Sequence, residues 1–174
     1  MNNAILTIAL MGLIIAPTGC VTNQRGFPPK DQITNYDRVD AFVTRGAQPN
    51  AAGFEALAKD GTTMVINLRN DPWSDEKRVV ESLGMTYVNV KMSGTSAPKP
   101  EDIATVLELI RMVKEKGGKV FTHCQFGCDR TGTAIACYRI TQGMSNKDAL
   151  DDAKFHGISK LLPHFHHYIT HYKP

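Results

Sequence analysis

Short β-like runs that alternate with helical patterns constrain the fold of this sequence most. The apolar, β-branched runs "TMVINL" (63–68), "TYVNV" (86–90) and "KVFTH" (119–123) have the length and composition of strands. A fourth candidate strand is "AFVTR" at 41–45. Helical patterns lie between and after these runs, at 51–61, 75–83, 100–116, 131–140, 146–155 and 163–172. Because strands that alternate with helices form parallel sheets, the sequence predicts an α/β fold, with a central, largely parallel sheet flanked by helices.

The composition indicates one compact domain and no nucleic-acid-binding tract. The chain has 174 residues, of which 42% are hydrophobic, enough for one domain of ordinary size. Its net charge is +3, and the charges are scattered along the chain. The sequence therefore does not indicate a nucleic-acid partner, although a few well-placed donors could still form a pocket for an anion.

The N-terminal segment has the pattern of an export signal. Residues 1–19 contain no charged side chain, and their apolar stretch from Ala4 to Ala16 is too short to span a bilayer. "PTGC" (17–20) resembles a bacterial lipoprotein processing site, in which Cys20 would be lipidated. We therefore predict a signal peptide at 1–19, a lipidated N-terminus and tether at 20–35, and a folded domain at 36–174.

This organisation predicts an exported protein on the periplasmic or cell-surface side, anchored to the membrane through lipid. Two alternatives are a signal that is cleaved without lipidation and an uncleaved segment that anchors at the membrane interface.

The cysteine count indicates at least one free thiol. If Cys20 is lipidated, Cys124, Cys128 and Cys137 remain, and an odd number cannot all pair within the chain. No second cysteine pair supports a zinc site of the usual spacing. Three histidines of "PHFHHYITHY" (163–172) fall near one helical face, a pattern more typical of a solvated terminal helix than of a zinc site. No metal or other cofactor is predicted.

The segment "HCQFGCDRT" (123–131) has the arrangement of a phosphate-binding loop. It follows a predicted strand and precedes a predicted helix, so backbone N–H groups and the helix N-terminus can converge on one anion. Gly127 permits a close backbone approach, and Arg130 offers a planar fork that matches two phosphate oxygens. The predicted phosphate-binding residues are Gln125, Phe126, Gly127, Cys128, Asp129 and Arg130.

Positive potential that binds phosphate also stabilises a thiolate, so Cys124 is the candidate nucleophile. Its attack on phosphorus would form a phosphocysteine, which water would hydrolyse in a second step. Thr131 could steady the sulfur as it leaves, and His123 could help to shape the loop.

The same residues resemble the signature of the cysteine-dependent protein tyrosine and dual-specificity phosphatases, which is His-Cys, five residues, Arg, then Ser or Thr. "TRGAQPNAAGFEAL" (44–57) is similar to the N-terminal strand and turn of small bacterial and atypical members. The resemblance implies a cysteine-phosphatase fold over 36–174. It also implies metal-free hydrolysis of a phosphorylated protein or a small phosphate ester. Arg45 and Gln48 are interpreted as structural.

The family's usual general acid is missing from its expected place. Members usually carry an aspartate about thirty residues before the cysteine, and "NVKMSGTSAPK" (89–99) contains no Asp or Glu. Asp129 is the first candidate, because related loops that end in "DRT" also carry an aspartate there. Asp71 and Asp102 follow, although a turn residue and a helix-start carboxylate are their simpler interpretations. The predicted catalytic set is therefore Cys124, Arg130 and Asp129.

Cys128 stands where related loops often carry lysine. Losing that cation would weaken the binding of highly charged substrates, and it leaves a second thiol near the nucleophile. We hypothesise a reversible disulfide between Cys124 and Cys128. Two other functions stay open, a sulfurtransferase and a phosphate-binding module without catalysis.

Overall fold

A computed structural model describes residues 32–174 of the chain. The predicted signal peptide at 1–19 and the predicted lipidation site, Cys20, lie outside the described residues.

The described residues form five strands and six helices. In chain order these are β1 (Asp37–Arg38), β2 (Val43–Ala47), α1 (Ala51–Lys59), β3 (Thr62–Arg69), α2 (Glu76–Ser82), β4 (Thr86–Met92), α3 (Pro100–Glu115), β5 (Lys119–Cys124), α4 (Asp129–Thr141), α5 (Asn146–Phe155) and α6 (Pro163–His171). Every strand and helix of the sequence prediction is present, with boundaries that differ by a few residues.

The strands form one sheet in the order β1-β2-β5-β3-β4. β5 pairs in parallel with both β2 and β3, and β3 pairs in parallel with β4. The short β1 is antiparallel to β2 at the edge. The predicted α/β fold with a largely parallel sheet is confirmed. β1 was not predicted, because a two-residue strand carries no periodicity to detect.

The two faces of the sheet carry different helices. Side chains of α3 and α4 pack on one face against Ile66, Leu68 and Val120. Side chains of α1 and α2 pack on the other face against Val65 and Phe121. Because successive residues of a strand point to opposite faces, β5 sends alternate side chains into two separate cores.

Helix α4 is surrounded by protein along most of its length. All residues from Arg130 to Tyr138 are buried, and α5 and α6 cover the side of α4 that faces away from the sheet. A helix with apolar or small residues all round is typical of a buried central helix. At the N-terminus of α4 this burial begins with Arg130, after the partly exposed Cys128 and Asp129.

Residues 32–35, which the sequence analysis placed in the tether, pack onto the domain. Ile33 is buried against Phe54 and Phe121 as part of the core on the α1 and α2 face. Asn35 has a positive φ of 55°, a conformation that asparagine tolerates better than most residues. The packed part of the chain thus begins before residue 36.

Within residues 32–174, none of the helices combines the length and apolar character that a membrane crossing requires.

Candidate active site

The candidate nucleophile lies at the carboxyl end of the central strand. Cys124 is the last residue of β5, is 3% exposed, and pairs with Ala47 of β2 in the sheet register. Arg130 lies in the first turn of α4 and is 8% exposed. The loop between them thus joins the end of a parallel strand to the start of a helix, the position at which α/β folds bind ligands.

The carbonyl groups of this loop are bonded to the surrounding protein. The Gln125 carbonyl accepts from the Gln48 backbone N–H at 3.2 Å, and the Phe126 carbonyl accepts from Asn35 Nδ2 at 3.4 Å. Arg45 Nη2 donates to the Gly127 carbonyl. Because these carbonyls are held from outside the loop, its backbone N–H groups are available to an anion on the other side.

Gly127 makes the tight packing of the loop possible. Its φ is 71°, and a Cβ at this position would lie 2.6 Å from the Gly46 carbonyl carbon and 2.7 Å from the Ala47 nitrogen. Both contacts are to backbone, which cannot move without disturbing β2. Only glycine fits here on both conformational and steric grounds.

Arg130 is held between the ends of β3 and β4. Its Nη1 donates to the Asn70 side-chain oxygen and to the Met92 carbonyl, both at 3.4 Å. The backbone of Gly94 also lies close to Arg130, since a Cβ on Gly94 would be 3.6 Å from Arg130 Cζ. These contacts fix the guanidinium at one end and leave its other N–H groups for an anion.

His123 faces away from the loop interior, because it precedes Cys124 on β5 and so points to the opposite face of the sheet. It is fully buried, with Nε2 2.8 Å from Glu76 Oε1 of α2. Glu76 is also fully buried, and its Oε2 accepts from Asn67 Nδ2 at 2.7 Å. This chain of contacts ties the start of α2 to the residue before the nucleophile.

The same buried network reaches Tyr87 of β4. Asn67 Nδ2 also donates to the Tyr87 hydroxyl at 3.1 Å. Burial raises the pKa of Tyr87, and the nearby Glu76 carboxylate raises this pKa further. Asn67 and Glu76 were not predicted as site residues, because a buried asparagine in a strand and a glutamate in a helix's first turn carry no distinctive pattern.

The first candidate acid, Asp129, is the first residue of α4. One of its carboxylate oxygens accepts from the Ser159 backbone N–H at 2.7 Å, so this oxygen faces the turn between α5 and α6. The other oxygen has no hydrogen bond among the residues of 32–174. The role of Asp129 as an acid stays a prediction.

The second candidate, Asp71, lies beside the Arg130 pocket and is exposed. It follows Asn70, which contacts Arg130, and it forms an ion pair with Arg69 at 3.1 Å. The hydrogen bond from Arg69 lowers the pKa of Asp71, and Arg130 adds a smaller effect in the same direction. Asp71 is therefore close enough for its charge to couple to the site, but it is held mainly in its ionised form.

The third candidate, Asp102, lies in the first turn of α3 near α6. Burial raises the pKa of Tyr168 in α6 to about 12, and Asp102 contributes a smaller effect. This location does not bring Asp102 to the loop.

The three cysteines of the described residues carry free thiols. Cys128 Sγ lies 3.5 Å from Asn35 Nδ2 and 3.3 Å from the Phe126 carbonyl. Burial raises the pKa of Cys128, and the charges of Cys124 and Asp129 raise it further. Burial also raises the pKa of Cys137 to about 12, which makes Cys137 an unreactive core residue.

The remaining predicted residues have contrasting surroundings. Gln125 and Phe126 are exposed, and the exposed fraction of Phe126 is 64%. Thr131 is fully buried, and its hydroxyl has no hydrogen-bond partner among residues 32–174. That hydroxyl is available to donate to a nearby sulfur. Among the described residues, no group of three or more His, Cys, Asp or Glu could hold a metal ion.

A model of a known family matches most of the domain. The family described as "Tc-R-P: Polymorphic toxin system, DSP-PTPase phosphatase" matches residues 39–144, which is more than half of the chain. The fold, the cysteine loop and this match define a cysteine-dependent phosphatase. The chain belongs to the family of dual-specificity and protein tyrosine phosphatases.

Individual relatives agree with this assignment. Dual specificity protein phosphatase TpbA of Pseudomonas aeruginosa is 30% identical over 160 residues, covering 89% of this chain and 70% of that protein. Dual specificity protein phosphatase 26 of Homo sapiens is 28% identical over 111 residues, covering 63% of this chain and 53% of that protein. The chain therefore spans about half of the second relative's length.

Solved structures support the fold. The core catalytic domain of the PP-IP phosphatase Siw14 from S. cerevisiae superposes with a TM-score of 0.72 at 20% identity, covering 82% of this chain and 87% of that one. The crystal structure of P. aeruginosa TpbA gives a TM-score of 0.69 at 22% identity, covering 80% and 85%.

Proposed function

We propose that this protein hydrolyses phosphate monoesters of phosphorylated proteins, including phosphotyrosine, through a phosphocysteine on Cys124. The observation that carries the proposal is the loop between Cys124 and Arg130, whose carbonyls at Gln125, Phe126 and Gly127 are all bonded outward. Its N–H groups, the α4 N-terminus and Arg130 then converge on one phosphate. The match to dual-specificity phosphatases supports the same reaction.

The reaction needs two steps and no metal. The Cys124 thiolate attacks phosphorus, the ester P–O bond breaks, and the leaving oxygen takes a proton from an acid. Water then attacks the phosphocysteine, releases phosphate and restores the thiolate. Arg130 and the loop N–H groups stabilise the negative charge of the transferring group in both steps.

The surroundings of the loop favour a shallow site that accepts several phosphorylated residues. Phe126 of the loop is 64% exposed, so it offers an apolar surface to a substrate rather than closing a deep pocket. A structure of P. aeruginosa TpbA in which one cysteine is replaced by serine is a complex with pTyr. We therefore propose phosphotyrosine as the first protein substrate to test.

The decisive experiment is hydrolysis of para-nitrophenyl phosphate and of matched phosphotyrosine and phosphoserine peptides under reducing conditions. We expect turnover that Cys124→Ser reduces by roughly 10⁴-fold or more, because no nucleophile remains. Cys137→Ala is the matched control and should keep wild-type turnover. If wild type and Cys124→Ser hydrolyse at the same rate, the proposal is wrong.

The absence of an acid from the loop at 89–99 favours one second candidate, a module that binds phosphate without turnover. Vanadate that binds the folded protein with no hydrolysis of any ester would identify this module. Thiosulfate:cyanide transfer would instead identify the sulfurtransferase that the sequence left open.

The general acid can be identified from how strongly the hydrolysis rate of each variant depends on the leaving group. We expect Asp129→Asn to slow alkyl phosphate hydrolysis by about 10²-fold while changing activated aryl phosphates much less, because good leaving groups need no proton. Asp71→Asn is the matched comparison. If Asp71→Asn shows the larger leaving-group dependence, the acid is Asp71 and our first assignment is wrong.

We also propose that the protein is exported and held at the membrane by lipid on Cys20. The support is the uncharged segment at 1–19 and the "PTGC" site. Full-length protein expressed in a bacterium should incorporate labelled palmitate, and Cys20→Ser should not. Label that persists in Cys20→Ser would exclude this anchor.

A further inference from the structure

Three large apolar side chains of the described residues are far more exposed than the rest. Leu161 is 89% exposed, Phe155 is 86% exposed and Phe126 is 64% exposed, whereas no other large hydrophobic side chain of residues 32–174 exceeds 41%. Single exposed apolar residues are ordinary on a protein surface, so exposure alone decides nothing. These three share a location, because one belongs to the cysteine loop and two belong to the segment that packs against this loop.

The segment runs from Phe155, the last residue of α5, to Leu161 in the turn before α6. Its start is bonded to the loop through Asn35. Asn35 Nδ2 donates to the Phe126 carbonyl at 3.4 Å and to the His156 carbonyl at 2.9 Å. One amide group therefore joins the backbone of the loop to the backbone that follows Phe155.

The middle of the 155–161 segment lies against the later part of the loop. The Ser159 backbone N–H donates to Asp129 Oδ1 at 2.7 Å. A Cβ on Gly157 would lie 3.4 Å from Cys128 Sγ, an ordinary van der Waals distance. The segment therefore borders one side of the loop, and its two exposed apolar residues stand at the two ends of this border.

A protein substrate must cover part of this surface. When a phosphorylated residue enters the loop, its neighbours in the substrate chain lie on the surface around the loop, because an extended chain advances only about 3.5 Å per residue. An apolar side chain of the substrate that covers exposed apolar side chains of the enzyme removes both from water, which stabilises the complex.

We propose that Phe126, Phe155 and Leu161 form an apolar rim that selects phosphorylated protein segments with a bulky apolar residue within two positions of the phosphorylated residue. The inference rests on the proposed phosphatase function, and it adds the sequence context of the substrate to that function.

The charges around the rim fit a protein segment better than a membrane. His156 in the 155–161 segment has carboxylate oxygens of Asp37 and Asp152 at 3.3 Å and 4.0 Å from its Nε2. Lys160 is the only lysine or arginine of the segment. Anionic lipid surfaces attract clusters of lysine and arginine, and one lysine near two carboxylates is not such a cluster.

The test compares matched phosphotyrosine peptides that carry either leucine or serine beside the phosphotyrosine. We expect wild type to hydrolyse the leucine peptide with a kcat/KM about tenfold higher, the effect of partly burying one large apolar side chain. The double variant Phe155→Ser, Leu161→Ser should lower this ratio to about threefold or less. Both side chains are almost fully exposed, so their replacement leaves the core intact.

Met112→Ser is the matched control, because Met112 is 41% exposed and lies near the end of α3. That end of α3 leads into the amino end of β5, whereas the cysteine loop follows the carboxyl end of β5. The control should keep the tenfold ratio. Para-nitrophenyl phosphate has no flanking residue, and its hydrolysis should be equal in all three proteins. A double variant with the full ratio, or a wild type without any preference, would overturn the proposal.

Peptide affinity keeps the proposal testable if no protein turns over. Cys124→Ser should bind the leucine peptide more tightly than the serine peptide, and the double substitution in this background should remove the difference. Equal affinities in Cys124→Ser would overturn the apolar rim. A clear difference in affinity without hydrolysis of any ester would support the rim and contradict the proposed phosphatase function.

Two further measurements test other occupants of the apolar rim. Full-length wild type and the double variant should float equally with vesicles of phosphatidylcholine and phosphatidylglycerol, and both should sediment as the same species. A double variant that loses vesicle binding but keeps its peptide ratio would assign the rim to a membrane and overturn the proposal. A dimer that the double substitution dissociates, with an unchanged peptide ratio, would overturn it in favour of a second copy of the chain.

Discussion

At the scale of single residues, the loop depends on contacts that tolerate no side chain. Gly127 lies on the backbone of β2, and its own carbonyl accepts from Arg45. The carbonyls before it in the loop accept from Gln48 and Asn35. The geometry of the phosphate site thus depends on the strand beside it as much as on the loop's own sequence.

We predict that Gly127→Ala lowers kcat/KM by about 10²-fold, because the new Cβ would displace the loop from its position on β2. Activity toward para-nitrophenyl phosphate measures the effect. The control is Gly143→Ala, which has a similar positive φ of 94° but no atom within 4 Å of the new Cβ. This control should cost about 1 kcal/mol of stability and leave activity unchanged. Equal loss of activity in both variants would show that the positive φ, and not the contact with β2, causes the loss.

We predict that Cys128 protects the nucleophile from irreversible oxidation. Peroxide converts the Cys124 thiolate to a sulfenic acid, and the Cys128 thiol then condenses with it, releasing water and forming a disulfide. Wild type treated with peroxide should therefore regain activity with dithiothreitol, whereas Cys128→Ser should not.

The unreactive thiol supplies the control for this prediction. Cys137→Ala should recover like wild type. Non-reduced peptide mapping should show the bond between Cys124 and Cys128 in both proteins. If Cys128→Ser also recovers fully, the disulfide is not the protective species.

At the scale of secondary-structure elements, α2 is joined to the central strand by a buried polar contact. Glu76 begins α2, and His123 lies one residue before the end of β5. Their contact at 2.8 Å crosses the interior with no solvent exposure on either side chain. Alternation along β5 explains why this contact and the nucleophile belong to opposite faces.

We predict that Glu76→Gln lowers the free energy of unfolding by about 3 kcal/mol, because it breaks a buried pair while leaving the partner in place. Urea denaturation measures the change. Glu81→Gln on the same helix removes an exposed pair with Lys77 and should change stability by less than about 1 kcal/mol. Similar small losses in both variants would mean that the buried contact is not stabilising.

The sequence predicted those parts of the structure that local patterns encode. Helix α3 was evident from Pro100 at its start and its apolar stripe, and the loop after β5 was evident from the order of its residues. Two contacts near the loop could not be predicted, because their partners are far apart in the sequence. Glu76 and His123 are 47 positions apart, and Asn35 and Phe126 are 91 positions apart. The complete burial of Arg45 could not be predicted either, because a strand pattern with one arginine does not reveal it.

At the scale of the whole molecule, the turn after α5 is connected to the loop through Asn35. His156 is mostly buried there, its Nδ1 lies 3.2 Å from Asn35 Oδ1, and its carbonyl accepts from Asn35 Nδ2 at 2.9 Å. Asn35 therefore connects the first described residues of the chain, the loop and the turn after α5.

The burial of His156 makes the free energy of unfolding depend on pH. Burial lowers the pKa of His156 below its ordinary value of 6.5, and Arg45 contributes to the same effect. The folded state therefore binds fewer protons than the unfolded state, and stability falls as the pH drops below about 6.5 toward the lower folded-state pKa.

We predict that His156→Asn weakens this dependence. Urea midpoints of wild type should fall between pH 7.5 and pH 5.5 by more than those of His156→Asn. The exposed His167→Asn is the control and should fall as much as wild type. Parallel curves for wild type and His156→Asn would show that another group causes the acid sensitivity.

The burial of α4 on all sides has a consequence for hydrogen exchange. The backbone amides of α4 lie between the sheet on one side and α5 and α6 on the other, so we expect them to become accessible to solvent only when the whole domain unfolds. Amide exchange in α4 should therefore report the global free energy of unfolding, whereas the exposed ends of the other helices should exchange sooner.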